Sequence, residues 1–539
     1  MPRVLLLTLC TAYVLPGVIG RDPWRNADLT AFGQMVAMAE GRTPWWAPAL
    51  GGMPVDGALL PHWMGALAIL MLSPFLDAAL AARLPFALLL AATLALVWYC
   101  SFHLARTDAA QPLPLAFGGE ADRVDYARAM ADGALLALMA TLGLLLLGHE
   151  TTPELAQLFA SALFLYALAA APFHGARARL AATLALPLLA GSGAPAMALA
   201  AGLGGWLVCS RSRLAPARAM VPWLLAATLT AAVLAWALGA WRWRLQAMTT
   251  DDALSVARQW LWFMWPAWPL AALTLWRWRQ HLSHRHISVP LVGVTVGLGA
   301  NLAMAGSDRA LMLALPGLAV LAAFALPTLK RSATAAIDWF SMFFFSAWAL
   351  LVWVHYVALQ TGAPPRPAAN MARLAPGFEA VFSAWALAFA AAGTLAWLAL
   401  LRWRTGRHRE ALWKSLVLPA GGVTLSWLLA MTLLLPPLDY MRSPRGSVLR
   451  LASHIPAGAC VLAPGLSAPN TAALEHFGRW QVNARPDALE QPAPACNTLL
   501  RLTRDAPAIA PAGWQFVAEF RRPADRGEVM SIYRRHPAP

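Results

Sequence analysis

Three aspartates near the start of the chain, Asp22, Asp28 and Asp56, are its side chains best placed to take a proton from a substrate hydroxyl, a common role for a carboxylate. A second polar group, His149-Glu150-Thr151-Thr152-Pro153-Glu154, is compressed between two apolar runs. A histidine and two acids packed there could orient a substrate or bind a divalent cation, with Asp56, His149 and Glu150 as the metal candidates. Thr152-Pro153-Glu154 also reads simply as a helix start. A departing phosphate needs positive charge or a metal to hold it. Arg83, Arg309, and Arg242 and Arg244 interleaved with Trp241 and Trp243, could supply the charge, although the Arg-Trp alternation equally suits anchoring at a membrane interface. His62 follows Asp56 by six residues in a Gly/Pro-rich stretch.

Each acid has a plainer reading as well. Asp28 opens the helical run Leu29 to Glu40 and could cap it, since Asp accepts the free amides of a first turn. Asp22 precedes Pro23 and suits a turn. Asp56 could be an ordinary solvated loop acid.

These groups must be positioned by a very apolar chain. It has 539 residues, 59% hydrophobic and 12% charged, with a mean hydropathy of +0.55, whereas soluble domains carry about 25% charged residues. Apolar runs of about 17–25 residues, long enough to cross a bilayer, recur along most of its length. The composition specifies a mainly α, polytopic membrane helix bundle. The net charge of +15 does not point to nucleic acid, because the arginines cluster where cytoplasmic loops would fall.

Spans are expected at 4–20, 84–105, 131–148, 154–172, 180–192, 196–209, 220–240, 260–276, 288–305, 310–328, 337–359, 379–401 and 415–436, about thirteen in all by the length criterion. Residues 63–76 should lie as a helix in the outer leaflet. Basic clusters such as Arg123/Arg128, Arg211/Arg213/Arg218 and Arg402 to Lys414 fall in alternate loops. This places the N-terminus in the cytoplasm and the acids on the periplasmic side. The expected division is a transmembrane domain, 1–436, with a first periplasmic loop at 21–62, and a small periplasmic α/β domain, 437–539. Cys460 and Cys496 both fall in that tail, and an oxidising compartment would allow a disulfide between them.

The pattern Asp22-Pro23-Trp24, Phe32-Gly33, Trp45/Trp46-x-Pro48, Gly52-x-Pro54, Pro61-x-Trp63 and Ala82-Arg83-Leu84-Pro85 resembles the GT-C superfamily of membrane glycosyltransferases. The nearest branch contains the lipid A aminoarabinose transferase and relatives of protein O-mannosyltransferases. Ser307-Asp308-Arg309 with Leu315-Pro316 resembles that branch's basic-residue and Leu-Pro segment. The resemblance implies a GT-C bundle and an inverting transferase. The enzyme would move a sugar from a polyprenyl phosphate donor to a lipid or cell-envelope glycan at the outer face of the bacterial inner membrane. Asp28 would be its base, competing with Asp22 and Asp56. Glu150, Glu154, His149, His62, Arg83, Arg242, Arg244 and Arg309 would bind substrate.

The chain departs from the branch in three places. Ala27-Asp28 stands where relatives have an Asp-Glu doublet. Asp56-Gly57-Ala58-Leu59-Leu60-Pro61 and Gly191-Ser192-Gly193-Ala194-Pro195 both lack the lysine found in the corresponding motifs. A non-catalytic GT-C-like scaffold and a transporter therefore stand as alternatives.

Overall fold

The computed structural model describes residues 1–24, 26–54, 57–112, 121–241, 245–405, 412–490, 496–504, 510–522 and 525–536. Asp56, Arg242 and Arg244 lie outside the described residues. The chain folds as a helix bundle with a small sheet domain at its C-terminal end. Among the described residues seven helices are long and apolar enough to cross a membrane. They are Ala78–Ala105, Pro153–Ala170, Ala215–Ala237, Arg285–Ala303, Arg331–Thr361, Ala384–Thr405 and Lys414–Thr432.

Several expected spans are shorter or broken. The run at 131–148 is divided into Arg123–Ala140 and Leu142–Leu147 by Thr141, which is extended (φ −69°, ψ 127°) and buried. The amide of Leu142 donates instead to the carbonyl of Trp265 at 3.2 Å, at a second break between Thr250–Phe263 and Ala267–Arg277. Non-helical backbone at such depth survives where protein surrounds it and satisfies its polar groups. Hydropathy averages over these interruptions and cannot register them. The stretch expected to lie in the outer leaflet forms the helix Leu59–Leu72.

The first helix, α1 (Arg3–Val14), is followed by a long connection. It carries α2 (Ala27–Ala39), a hairpin of β1 (Ala49–Leu50) and β2 (Met53–Pro54), and α3 (Leu59–Leu72), and ends at α4 (Ala78–Ala105). Asp77 caps α4, its carboxylate accepting from the amide of Leu80 at 2.9 Å.

The C-terminal sheet has the order β4-β3-β5-β7-β6. Its strands are β3 (Cys460–Leu462), β4 (Gln481–Asn483), β5 (Thr498–Arg504), β6 (Trp514–Arg522) and β7 (Asp525–Arg535). β3 runs parallel to β4 and β5, and the other pairs are antiparallel. Cys460 and Cys496 are disulfide-bonded.

The first connection is fastened onto this domain. Leu29 and Leu50 are buried in the same cluster as Val448, Val461, Leu474 and Ile532. The amide of Ala484 donates to the carbonyl of Gly51 at 2.8 Å, Arg42 pairs with Glu475, and Phe32 meets His476 edge-on at 4.7 Å. Gly33 is required here. A Cβ on it would stand 2.5 Å from the Cβ of Ala472.

Candidate functional site

Asp28 lies in the first turn of α2 and is 1% exposed. It does not cap that helix, since the cap position is Asn26. One carboxylate oxygen accepts from the amide of Thr151 at 2.8 Å and its hydroxyl at 2.7 Å. The other accepts from the amide of Trp24 at 3.2 Å and from Arg21 at 3.4 Å. Burial alone would raise its pKa. Arg21, Arg83 and the Thr151 donors outweigh burial and hold the carboxyl below its usual range. Asp28 is thus an enclosed anion, fully engaged in joining the first connection to the 149–152 turn.

Asp22 is also committed. It takes a bidentate contact from Arg445 (2.8 and 2.6 Å) and accepts from the Ser443 hydroxyl at 2.8 Å. The Trp24 indole donates to Asp439 at 2.8 Å, and its ring has Arg21 at 4.5 Å and Arg442 at 4.8 Å. Both aspartates therefore hold segments together.

The turn that receives Asp28 leads into the helix Pro153–Ala170, which starts beside a cavity of about 700 Å³. Pro195 and Leu207, twelve residues apart on the helix Pro195–Ser210, both line it. At 1.5 Å rise per residue the cavity runs about 18 Å along that helix. Its walls are mainly apolar, with Met197, Leu203, Val296 and Ala300. Leu203 is 63% exposed, so the groove opens on the side of the bundle. Among the described residues its charged groups are Glu154 and Arg309, with Gln157 beside them.

A polar network sets this end of the groove. Asn301 accepts from the Trp260 indole at 2.7 Å and donates to the carbonyl of Ser307 at 2.7 Å. Gln259 donates to the carbonyl of Gly306 at 2.9 Å. The loop ahead of Arg309 is thereby held, and Arg309 pairs with Glu150 at 2.7 Å. Burial, with the charge of Asp28, raises Glu150 against the opposing pull of Arg309. Glu154 differs: its Oε2 is buried and has no hydrogen-bond partner among the described residues. Gln157 donates to the carbonyl of Ser192 at 2.7 Å, which brings the 191–195 turn into the groove wall.

The structure therefore brings together Glu150, Glu154 and Arg309 of the expected residues. It places others elsewhere. Arg83 donates to the carbonyls of Arg21 and Val18 and fastens the backbone after α1. His62 is buried in α3 and is not among the groove-lining residues. His149 presents its ring nitrogens to the carbonyls of Leu145 (2.7 Å) and Tyr13 (2.9 Å). Burial pushes its pKa down to about 4.

With both ring nitrogens turned to backbone and Glu150 on Arg309, His149 and Glu150 are engaged within the protein, while Asp56, the third metal candidate, lies outside the described residues. Among the described residues no cluster of three or more His, Cys, Asp or Glu could hold one. Sequence reasoning missed Thr151 and Gln157. The second was legible, since Gln157 follows Glu154 by three residues on a helix and must share its face.

No protein-family model matches the chain, and no curated protein matches it in sequence. Solved structures do. A crystal structure of ArnT from Cupriavidus metallidurans bound to undecaprenyl phosphate superimposes with a TM-score of 0.61 at 14% identity, covering 98% of this chain and 97% of that one. The apo structure of the same ArnT gives the same values. The fold is an ArnT-like GT-C fold. The correspondence with ArnT includes both the bundle and the sheet domain, since almost nothing of either chain lies outside it.

Proposed function

We propose that this protein is a GT-C glycosyltransferase of the bacterial inner membrane, acting at its periplasmic face. It transfers a sugar from a polyprenyl phosphate to a lipid or cell-envelope glycan. The groove carries this reading: it is apolar for about 18 Å of helix and ends at Arg309 and Glu154, the shape of a long lipid with an anionic head. The ArnT fold, solved with undecaprenyl phosphate bound to that protein, supports the donor class.

In the transfer, an acceptor hydroxyl attacks the anomeric carbon, the bond from that carbon to the phosphate oxygen breaks, and the configuration inverts. Arg309 stabilises the phosphate as it leaves, in a wall poor in water where a fixed charge acts strongly. Glu154 takes the hydroxyl proton, because it lines the groove and its buried Oε2 has no hydrogen-bond partner among the described residues. Asp28 positions the turn that carries Glu150 and Glu154.

The donor groove is tested at Gly299, which lines it and whose Cβ would meet nothing within 4 Å. Gly299→Leu fills the groove while improving helix propensity by up to about 1 kcal/mol. Native mass spectrometry of the protein in nanodiscs should show undecaprenyl phosphate bound to the parent and lost from Gly299→Leu, with no fall in melting temperature. Undiminished binding in a folded variant would remove the groove as the donor site.

A GT-C-like lipid-binding scaffold is the second reading. It is favoured by Ala27 at the first place of the doublet and by the full enclosure of Asp28. It expects lipid binding without transfer.

A further inference from the structure

Two helices wall the groove, and they converge along it. On the helix Pro195–Ser210 the lining begins at Pro195, and on the helix Arg285–Ala303 it begins at Ala303. Both starts lie at the Arg309 end: Gln157 ties the turn before Pro195 to the Glu154 helix, and Asn301 holds the carbonyl of Ser307. At Gly204 the two helices touch. A Cβ there would stand 2.6 Å from Cγ1 of the buried Val292, so the approach depends on a residue without a side chain.

This contact sets the depth of the enclosed part. Gly204 lies nine residues beyond Pro195, and the lining on the facing helix ends at Thr295, eight residues from Ala303. At a rise of 1.5 Å per residue both walls are about 12–14 Å long. Past Gly204 only Leu207 continues the lining among the described residues. Leu203 and Leu207 are 63% and 38% exposed, so a chain lying in the groove leaves the bundle sideways at this level.

We propose that the protein reads its donor lipid through the phosphate and about the first three isoprene units, and leaves the rest of the tail in the bilayer. An isoprene unit puts four carbon–carbon bonds into the chain, roughly 5 Å when extended at bond lengths of about 1.5 Å. The walled segment therefore holds two to three units, and the next lies along Leu203 and Leu207. Beyond that point nothing discriminates. Lipid tails are as apolar as leucine, so a tail gains little by moving from lipid onto an apolar helix face. Inside the wedge, close packing on both sides is what recognises the chain. The donor class is accordingly any polyprenyl phosphate of three or more units. That the occupant is a polyprenyl phosphate rests on the proposed donor reading, whereas the depth of the wedge does not.

The test uses the full-length protein in nanodiscs with two undecaprenyl phosphates, carrying a photoreactive diazirine on the third or on the seventh unit from the phosphate. The third-unit probe should label residues 196–207 and 292–303. The seventh unit, roughly 20 Å further along the chain, should label bilayer lipid and leave these helices about tenfold fainter. Thr295→Phe should displace the third-unit label without lowering the melting temperature, because the Thr295 hydroxyl bonds only carbonyls of its own helix, Leu291 at 2.9 Å and Val292 at 3.0 Å. Farnesyl phosphate, with three units, should compete with undecaprenyl phosphate within about threefold at equal mole fraction in the bilayer, since the outer tail contributes little. Equal labelling of these helices by both probes, an unmoved label in folded Thr295→Phe, or a farnesyl phosphate that competes more weakly than this would each overturn the proposal while leaving donor binding intact. Capture of neither probe by the protein would instead remove the donor reading, and the proposal with it.

Discussion

Thr151 donates twice to one oxygen of Asp28, through its amide at 2.8 Å and its hydroxyl at 2.7 Å, across 123 residues of chain. This pair is the joint between the first connection and the turn that leads to Glu150 and Glu154. The acid that the resemblance made the base also accepts from the amide of Trp24 and from Arg21.

Replacing Thr151 by Val keeps the amide and deletes the hydroxyl. A hydrogen bond to a charged group contributes about 1.5–3 kcal/mol, so the melting temperature should fall with that magnitude of destabilisation. Asp28→Asn should cost at least as much, because its amide NH2 would face donors. The folded pKa of Asp28 lies below its ordinary 3.8. Its stabilisation is therefore complete above the unfolded value and is lost as pH falls through the folded one. Melting curves from pH 6 down to pH 3 in detergent should show this acid limb flattened in Asp28→Asn. An unchanged limb would remove Asp28 as a buried anion.

Glu154→Gln should leave lipid binding near normal and lower the turnover of sugar transfer by about 10²–10⁴-fold, the range for loss of a general base. Turnover is measured with a radiolabelled polyprenyl phosphate sugar and envelope acceptors. Glu150→Gln, which touches Arg309, should instead weaken donor binding. Full turnover in Glu154→Gln would move the base elsewhere.

Arg309→Met deletes the charge proposed to meet the lipid phosphate and leaves Glu150 without its partner. Undecaprenyl phosphate affinity should drop about tenfold or more, in line with a charge-assisted contact of about 1.5–3 kcal/mol. Arg309→Lys should recover part of it, since a lysine keeps the charge but loses the planar fork. Equal affinity in parent and Met variant, by native mass spectrometry, would contradict phosphate binding at this residue.

Gly33→Ala puts a Cβ 2.5 Å from that of Ala472. Overpacking of this kind costs about 1–3 kcal/mol, and the strain falls between α2 and the C-terminal domain. Protease nicking of the 21–62 connection should accelerate in the variant, while resistance equal to the parent would show that the contact is not tight.

The Cys460–Cys496 disulfide closes a loop with a sequence separation of 36. In the chain-entropy picture such a bridge contributes about 3–4 kcal/mol. Cys460→Ser/Cys496→Ser should melt correspondingly lower, and an active alkaline phosphatase fused after the C-terminus would place the domain in the periplasm. Cytoplasmic reporter activity there would reverse the topology.

Properties that depend on short stretches were legible in the sequence. Twenty apolar residues cannot stay in water, so the apolar runs announced a helix bundle, and the drop in hydropathy near 437 announced the tail. Hydropathy could not show the break at Thr141, because its extended backbone depends on the carbonyl of Trp265, 123 residues from Leu142. The site divides in the same way. Acids and arginines of the right type were visible at 22, 28, 150, 154 and 309, and Glu150, Glu154 and Arg309 do meet at one cavity end. Which of these carboxylates keeps an oxygen without a donor among the described residues was decided only by tertiary contacts, since a carboxylate ringed by donors and one lacking them have the same formula. Thr151, Arg21 and Trp24 enclose Asp28, and Arg445, 423 residues away, engages Asp22. Only Glu154 among these acids has an oxygen buried without a partner among the described residues.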